Sequence, residues 1–152
     1  MSYEARLREL GIELPPPPKP LGAYVPCVRV DELLFLSGVL PLVDGELKAS
    51  GKVGGELSIE EGYNAAREAA LNVLSIVREN LADLDRVERV VKVVGYVASA
   101  SGFNSQPAVV NGASELFVEV FGERGRHARV AVGTNELPMN SPVELDVIFK
   151  VA

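Results

Sequence analysis

Apolar residues recur along this chain in two periods, and the switches between them lay out its elements. Leu7 and Leu10 stand three apart among the charged residues of YEARLREL, which predicts a short amphipathic helix docked on the surface and ended by Gly11. Pro15 to Pro18, then Lys19 and Pro20, fix φ and disfavour helix in each preceding residue, so an extended connector follows. Tyr24 to Val30 and Leu33 to Ser37 are β-prone runs separated by Asp31 and Glu32, the length of a tight hairpin. SGVLP ends the second run, and Gly38 there allows either an ordinary bend or a close approach to the backbone. Asp44 and Gly45 offer a turn, and glycines 51, 54 and 55 an irregular stretch.

Ser58 with Glu61 three residues on is a capping-box signature opening a long helix to about Leu81. Tyr63, Ala66, Ala70, Val73, Leu74, Val77 and Leu81 recur at spacings of three and four and give its buried stripe. Val87 to Ala98, rich in β-branched residues, reads as a strand. Ser105 and Pro107 open a second helix that buries Leu116, Phe117, Val120 and Phe121 and stops at Gly122. Asn111 lies inside it, either making a side-chain contact across an interface or tolerated on the surface. From Arg129 to Phe149 the valines and leucines alternate at period two on both sides of Pro138, Asn140, Ser141 and Pro142, which reads as a hairpin. Arg129 and Glu144 are out of phase with that series, so both are expected to face away from the surface that buries Val130, Leu145 and Val147.

The order of elements describes an α+β domain in which two helices cover one face of a mixed β-sheet. Ile148 shares its phase with Glu144 and Asp146, so the second face is partly apolar and self-association is expected. A length of 152 residues suits one core. The net charge of -6 argues against a nucleic-acid surface, and the cluster Arg124, Arg126, His127 and Arg129 reads as a solvated loop. Cys27 is alone, no signal peptide or bilayer-length apolar run is present, and a cytoplasmic location without membrane association is the expectation. One histidine and one cysteine far apart give no metal-ligand spacing.

Three segments resemble the YjgF, or reactive intermediate deaminase (Rid), family: GAYVPCVRVDELLFLSGVLP, VVNGASELFVEVFG, and ARVAVGTNELP followed by VELDVIF. The strongest match is the spacing of Arg129, Pro138 and Glu144. The resemblance implies a YjgF-like, chorismate-mutase-like trimeric fold, here with an N-terminal extension over residues 1–20 before a single domain at 21–152. It implies a homotrimer with clefts between subunits, no cofactor, and a small carboxylate-bearing substrate. It also implies hydrolysis of reactive imino or enamino acids to a keto acid and ammonia. On the matching positions, Arg129 pairs with the substrate carboxylate, the backbone near Ser37 and Gly38 holds the substrate, Glu144 positions water, and Tyr24 and Asn111 line the cleft.

Those residue types suit that chemistry. A guanidinium can take both carboxylate oxygens, and a carboxylate can orient or deprotonate a water for attack on an already electrophilic carbon. In the hairpin reading Lys150 lies opposite Arg129, which puts Glu144 roughly 20 Å away along the strand even if a bulge at Gly133 shifts the register. Arg129 and Glu144 are therefore expected to serve one cleft only when different subunits supply them. Where many members carry a cysteine, this chain has Ala131, leaving only its backbone for substrate binding, and the frequent glutamine after Ser-Gly is Val39. These departures keep a non-catalytic trimeric carboxylate binder as the alternative; endoribonuclease activity ranks last.

Overall fold

The computed structural model describes residues 2–152. Helix α1 (Tyr3–Glu9) is capped by the Ser2 hydroxyl, which accepts from the Ala5 amide at 3.0 Å, and Gly11 at φ 70° turns the chain away. It is more than a surface attachment. Leu7 is only 2% exposed, and Tyr3 meets Phe121 edge-on with ring centroids 4.8 Å apart. The proline segment that follows has no secondary structure, yet Leu14 belongs to the core and the Pro15 carbonyl accepts the Ser75 hydroxyl at 2.7 Å.

Strands β1 (Cys27–Val30) and β2 (Leu33–Leu36) form the expected hairpin. Asp31 alone takes the left-handed conformation, at φ 52°, which explains why a glutamate is tolerated beside it. A small separate hairpin, β3 (Leu42–Val43) and β4 (Glu46–Leu47), turns through Asp44 and Gly45, both at positive φ. The glycine-rich stretch after it is tied down, because Val53 is fully buried and bridges Ser99.

Helix α2 (Ile59–Leu81) begins with a complete capping box: the Ser58 hydroxyl accepts from the Glu61 amide, and the Glu61 carboxylate accepts from the Ser58 amide, each at 3.1 Å. Ala82 at φ 66° ends it. The long strand β5 (Val87–Ala98) precedes helix α3 (Gln106–Phe121), where Ser105 sits at the N-cap without making a side-chain cap bond and Pro107 occupies the first turn. A Cβ on Gly112 would lie 2.1 Å from the Tyr63 carbonyl, so glycine there is what lets α2 and α3 touch. Both helices pack on one face of the sheet, over Val90, Val93, Val97, Leu145, Val147 and Phe149.

The last two strands depart from the expected hairpin. β6 (Ala128–Thr134) and β7 (Val143–Val151) are not paired with each other; the sheet order is β1-β2-β7-β5-β6, with β5 between them. β6 runs parallel to β5 in unbroken register through Gly133, whereas β7 runs antiparallel to it, and the bulges lie near Val87 and Val90. A twelve-residue β5 gives both its neighbours a full ladder, and the 135–142 segment crosses its end instead of folding back tightly. The valine phase on β6 is also reversed from expectation. Val130 and Val132, 40% and 39% exposed, lie on the open face, while Arg129 pairs across from the fully buried Val93 and so faces the helices. Glu144 pairs across from Tyr96 on the open face, as expected. Val28 and Phe35 extend that exposed apolar face across the sheet.

Because Leu7 is a core residue, Leu7→Ala is expected to lower unfolding free energy by about 2–5 kcal/mol in denaturant titration. A loss below about 0.5 kcal/mol, the size of a surface substitution, would mean that α1 merely rests on the domain.

Candidate functional site

The sequence-predicted residues fall into two groups. The first surrounds Gly38. Between the pairs Phe35↔Ile148 and Val39↔Leu145 one strand advances four residues and its partner three, so the chain bulges at Ser37 and Gly38. Reciprocal backbone bonds of 2.8 and 3.0 Å between Val39 and Leu145 close the bulge. The Glu144 carboxyl lies against it: a Cβ on Gly38 would sit 2.0 Å from Oε2. The close-approach reading of SGVLP is therefore the correct one. Ser37 is already committed within the chain, its hydroxyl donating to the Val25 carbonyl at 2.6 Å and its amide to Pro26 at 2.9 Å. Tyr24 accepts the Leu21 amide at its phenol oxygen, 3.2 Å away. Tyr24, Ser37, Gly38 and Glu144 all line one cleft of about 260 Å³, with Pro18, Lys19, Leu42, Ile76 and Pro138 among its other walls. Burial, and then the neighbouring charge of Asp146, raise the pKa of Glu144 above the ordinary carboxylate value.

The second group surrounds Arg129. Its Nη1 donates to the Asn111 side-chain oxygen at 2.8 Å and to the Ser114 hydroxyl at 3.2 Å, and Nη2 reaches the Pro107 carbonyl at 3.5 Å. Asn111 thus makes a side-chain contact within its own chain, which is neither the contact across an interface nor the idle surface position expected. His127 is no solvated loop residue either: Nε2 is 2.9 Å from the Ser114 hydroxyl and Nδ1 is 2.7 Å from the Gly125 carbonyl. Burial lowers its pKa, with the charge of Arg129 acting in the same direction and the Gly125 carbonyl opposing. Among the described residues no hydrogen bond engages Arg129 Nε, and Nη2 makes only the long bond to the Pro107 carbonyl, so a carboxylate can accept from Nε and from the second Nη2 proton. Ala131 lies two residues along β6 on the same side. β6 is an edge strand, and because the Thr134 carbonyl turns toward Ser99 next to β5, the alternate backbone groups of Ala131 point outward.

These groups do not meet within one chain. Arg129 is level with Val93 and Glu144 with Tyr96, which puts them about 10 Å apart along the strands and about 9.6 Å across, on opposite faces. Sequence reasoning did not reach Ser114 or the Pro107 carbonyl, and it placed His127 in a solvated loop. Only the uniqueness of His127 could have flagged that cluster. Nor did it connect residues 18–21 with the Glu144 cleft, since a proline run carries no periodicity to say where it docks. No helix among the described residues is long and apolar enough to cross a membrane.

A mixed sheet with two helices on one face and residues clustered at the strand bulge and sheet edge defines a YjgF-like α+β domain. The family model described as YjgF/chorismate-mutase-like, which also carries an endoribonuclease label, matches residues 4–150, and the chain belongs to this family. It is 45% identical over 97% of its length to Protein TCP17 of Trypanosoma cruzi, covering 92% of that protein. It is 30% identical to a 2-iminobutanoate/2-iminopropanoate deaminase of Dermatophagoides farinae, covering 92% of this chain and 94% of the relative. A crystal structure from Agrobacterium tumefaciens, of a protein described as having unknown function, superposes with a TM-score of 0.91 at 42% identity, covering 99% and 92% of the two chains.

The raised Glu144 pKa sets the sign of a pH dependence. The native state keeps a proton that the unfolded chain has released, so this group's contribution is full below the ordinary carboxylate value and is lost as pH rises through the raised one. Urea midpoints of the wild type should decline over that window more steeply than those of Glu144→Gln; parallel curves would show that the carboxyl is unperturbed.

Proposed function

We propose that the protein is a cofactor-independent hydrolase of reactive imino or enamino acids, working as a homotrimer in which each site joins Arg129 of one subunit to Glu144 of the next. The observation that carries this reading is the separation of the matched residues into two half-sites, each open to the surface and each lacking what the other holds. The exposed apolar face bearing Val28, Phe35, Val130 and Val132 supports assembly with further copies. The deaminase name of the mite relative supports the reaction.

In this mechanism the Nε and Nη2 edge of Arg129 takes the substrate carboxylate in parallel hydrogen bonds, while Asn111 and Ser114 hold the guanidinium still. Water attacks the imine carbon, its proton passes to Glu144, and the nitrogen takes up protons. The carbon–nitrogen bond then breaks, ammonia leaves and the carbonyl forms. A raised pKa brings Glu144 closer to neutrality and makes it a stronger base once ionised. The backbone at Gly38 and Ala131 supplies close-approach surface on the two sides. Ala131 in place of the cysteine common in the family favours a second reading, a trimer that binds small carboxylates without turnover. Keto-acid binding that depends on Arg129, with no acceleration of imine hydrolysis, would establish it.

A mixing experiment tests the shared site. Arg129→Ala and Glu144→Gln proteins should each be nearly inactive in a coupled assay with an amino-acid oxidase. Unfolded together and refolded one to one, they should regain roughly a quarter of wild-type activity, the share of interfaces that pair an intact arginine with an intact glutamate at random. Mixed trimers that stay inactive would overturn the shared site.

A further inference from the structure

The cleft beside Glu144 extends well beyond the residues needed to hold a reacting carbon. It follows the chain from Ser37 and Gly38 through Val39 and Leu40 to Leu42, a run that can reach at most about 18 Å, and Ile76 of α2 lines it as well. Residues 18–21, from the segment ahead of the sheet, form another wall. Three contacts fix that wall in place: Leu14 in the core, the Ser75 hydroxyl on the Pro15 carbonyl, and the Leu21 amide on the Tyr24 phenol oxygen. The prolines between these anchors have φ already set, so little conformational freedom is lost when a ligand lies against them.

The polar groups of the cleft are few. Ser37, Gly38 and Glu144 are neighbours at the bulge, whereas Pro18, Leu21, Leu40, Leu42 and Ile76 are apolar, and Lys19 is an exposed cation on the wall. We infer that residues 18–21 together with Leu42 and Ile76 form a side-chain pocket that selects imino acids with branched or aromatic apolar side chains over those with small ones. This rests on the proposed deaminase reading, which supplies only the position of the reacting carbon beside Glu144. A substrate held there by its carboxylate and imine carbon has its side chain as the one group left to run along the apolar part of the cleft. A small side chain leaves the exposed Leu21 and Pro20 of the wall in contact with water, and a longer one, seated against the buried Leu42 and Ile76, removes that surface from it.

Calorimetry on the full chain with the unreactive keto acids of alanine, leucine, phenylalanine and glutamate tests the pocket separately from turnover. The leucine or phenylalanine keto acid is expected to bind at least about tenfold more tightly than that of alanine. Leu21 is 58% exposed, so Leu21→Glu should fold normally, and in this variant the preference is expected to shrink to less than about threefold. Equal binding of all four acids, or an undiminished preference in Leu21→Glu, overturns the pocket alone. So does tightest binding of the glutamate keto acid, which would assign recognition to Lys19. Absence of binding by every keto acid, together with no imine turnover, removes the deaminase reading itself.

Discussion

β5 lies between β6 and β7, and that placement decides which residues of this chain can meet. Had the last two strands formed a hairpin, Arg129 and Glu144 would lie on one face and differ only in height. With β5 between them and the side-chain phase of β6 reversed, they point to opposite sides of the sheet. The buried series Val90, Val93 and Val97 locks the arrangement, since a one-residue slip of β5 would expose all three at once. The separation of the Arg129 and Glu144 clusters is the consequence of a packing decision made in the core.

Much of this was legible in the sequence because it rests on local chemistry. The capping box at Ser58, the β-branched run at 87–98, the Gly122 stop and the β1–β2 hairpin all follow from residues whose signal lies within a few positions. Strand pairing does not. Val130 and Val132 alternate as core residues would, yet they lie on the open face, and nothing in their own stretch distinguishes one face of an edge strand from the other. The inference that Arg129 and Glu144 are far apart in one chain agrees with the structure although the hairpin behind it does not. The site positions came from the family spacing, whereas the partners of Arg129 came only from the fold, because α3 brings Asn111 and Ser114 to it from far along the chain.

The segment ahead of the sheet illustrates the same limit from another direction. Its polyproline character was evident, but a stiff connector has no face of its own, and only tertiary anchors show what it covers. Leu7 and Leu14 are core residues, so the segment ahead of the sheet and the sheet itself share one hydrophobic interior. A composition boundary near residue 20 is therefore not a packing boundary. The proline run passes the Glu144 cleft anchored by Leu14 and the Pro15 carbonyl on one side and by the Leu21 amide on the Tyr24 phenol oxygen on the other.

The Arg129 and Glu144 clusters also differ in how they are held. Arg129 is held before any ligand arrives: Asn111 and Ser114 fix one of its nitrogens, and His127, whose pKa is lowered by burial, is placed in its neutral form to accept the Ser114 proton while Gly125 fixes its other ring nitrogen. Such a chain of bonds leaves the guanidinium little rotational freedom to lose on binding an anion. A charged His127 could not accept from Ser114 and would place a second cation beside Arg129, so protonation would loosen the anchor and strengthen the local positive field together. Glu144 is prepared differently. Its carboxyl has no side-chain partner in the described residues and is held against the Gly38 backbone by shape, in surroundings that favour its neutral form. One cluster is set by hydrogen bonds and charge, the other by close packing and burial, and the glycine at 38 is the condition for the second.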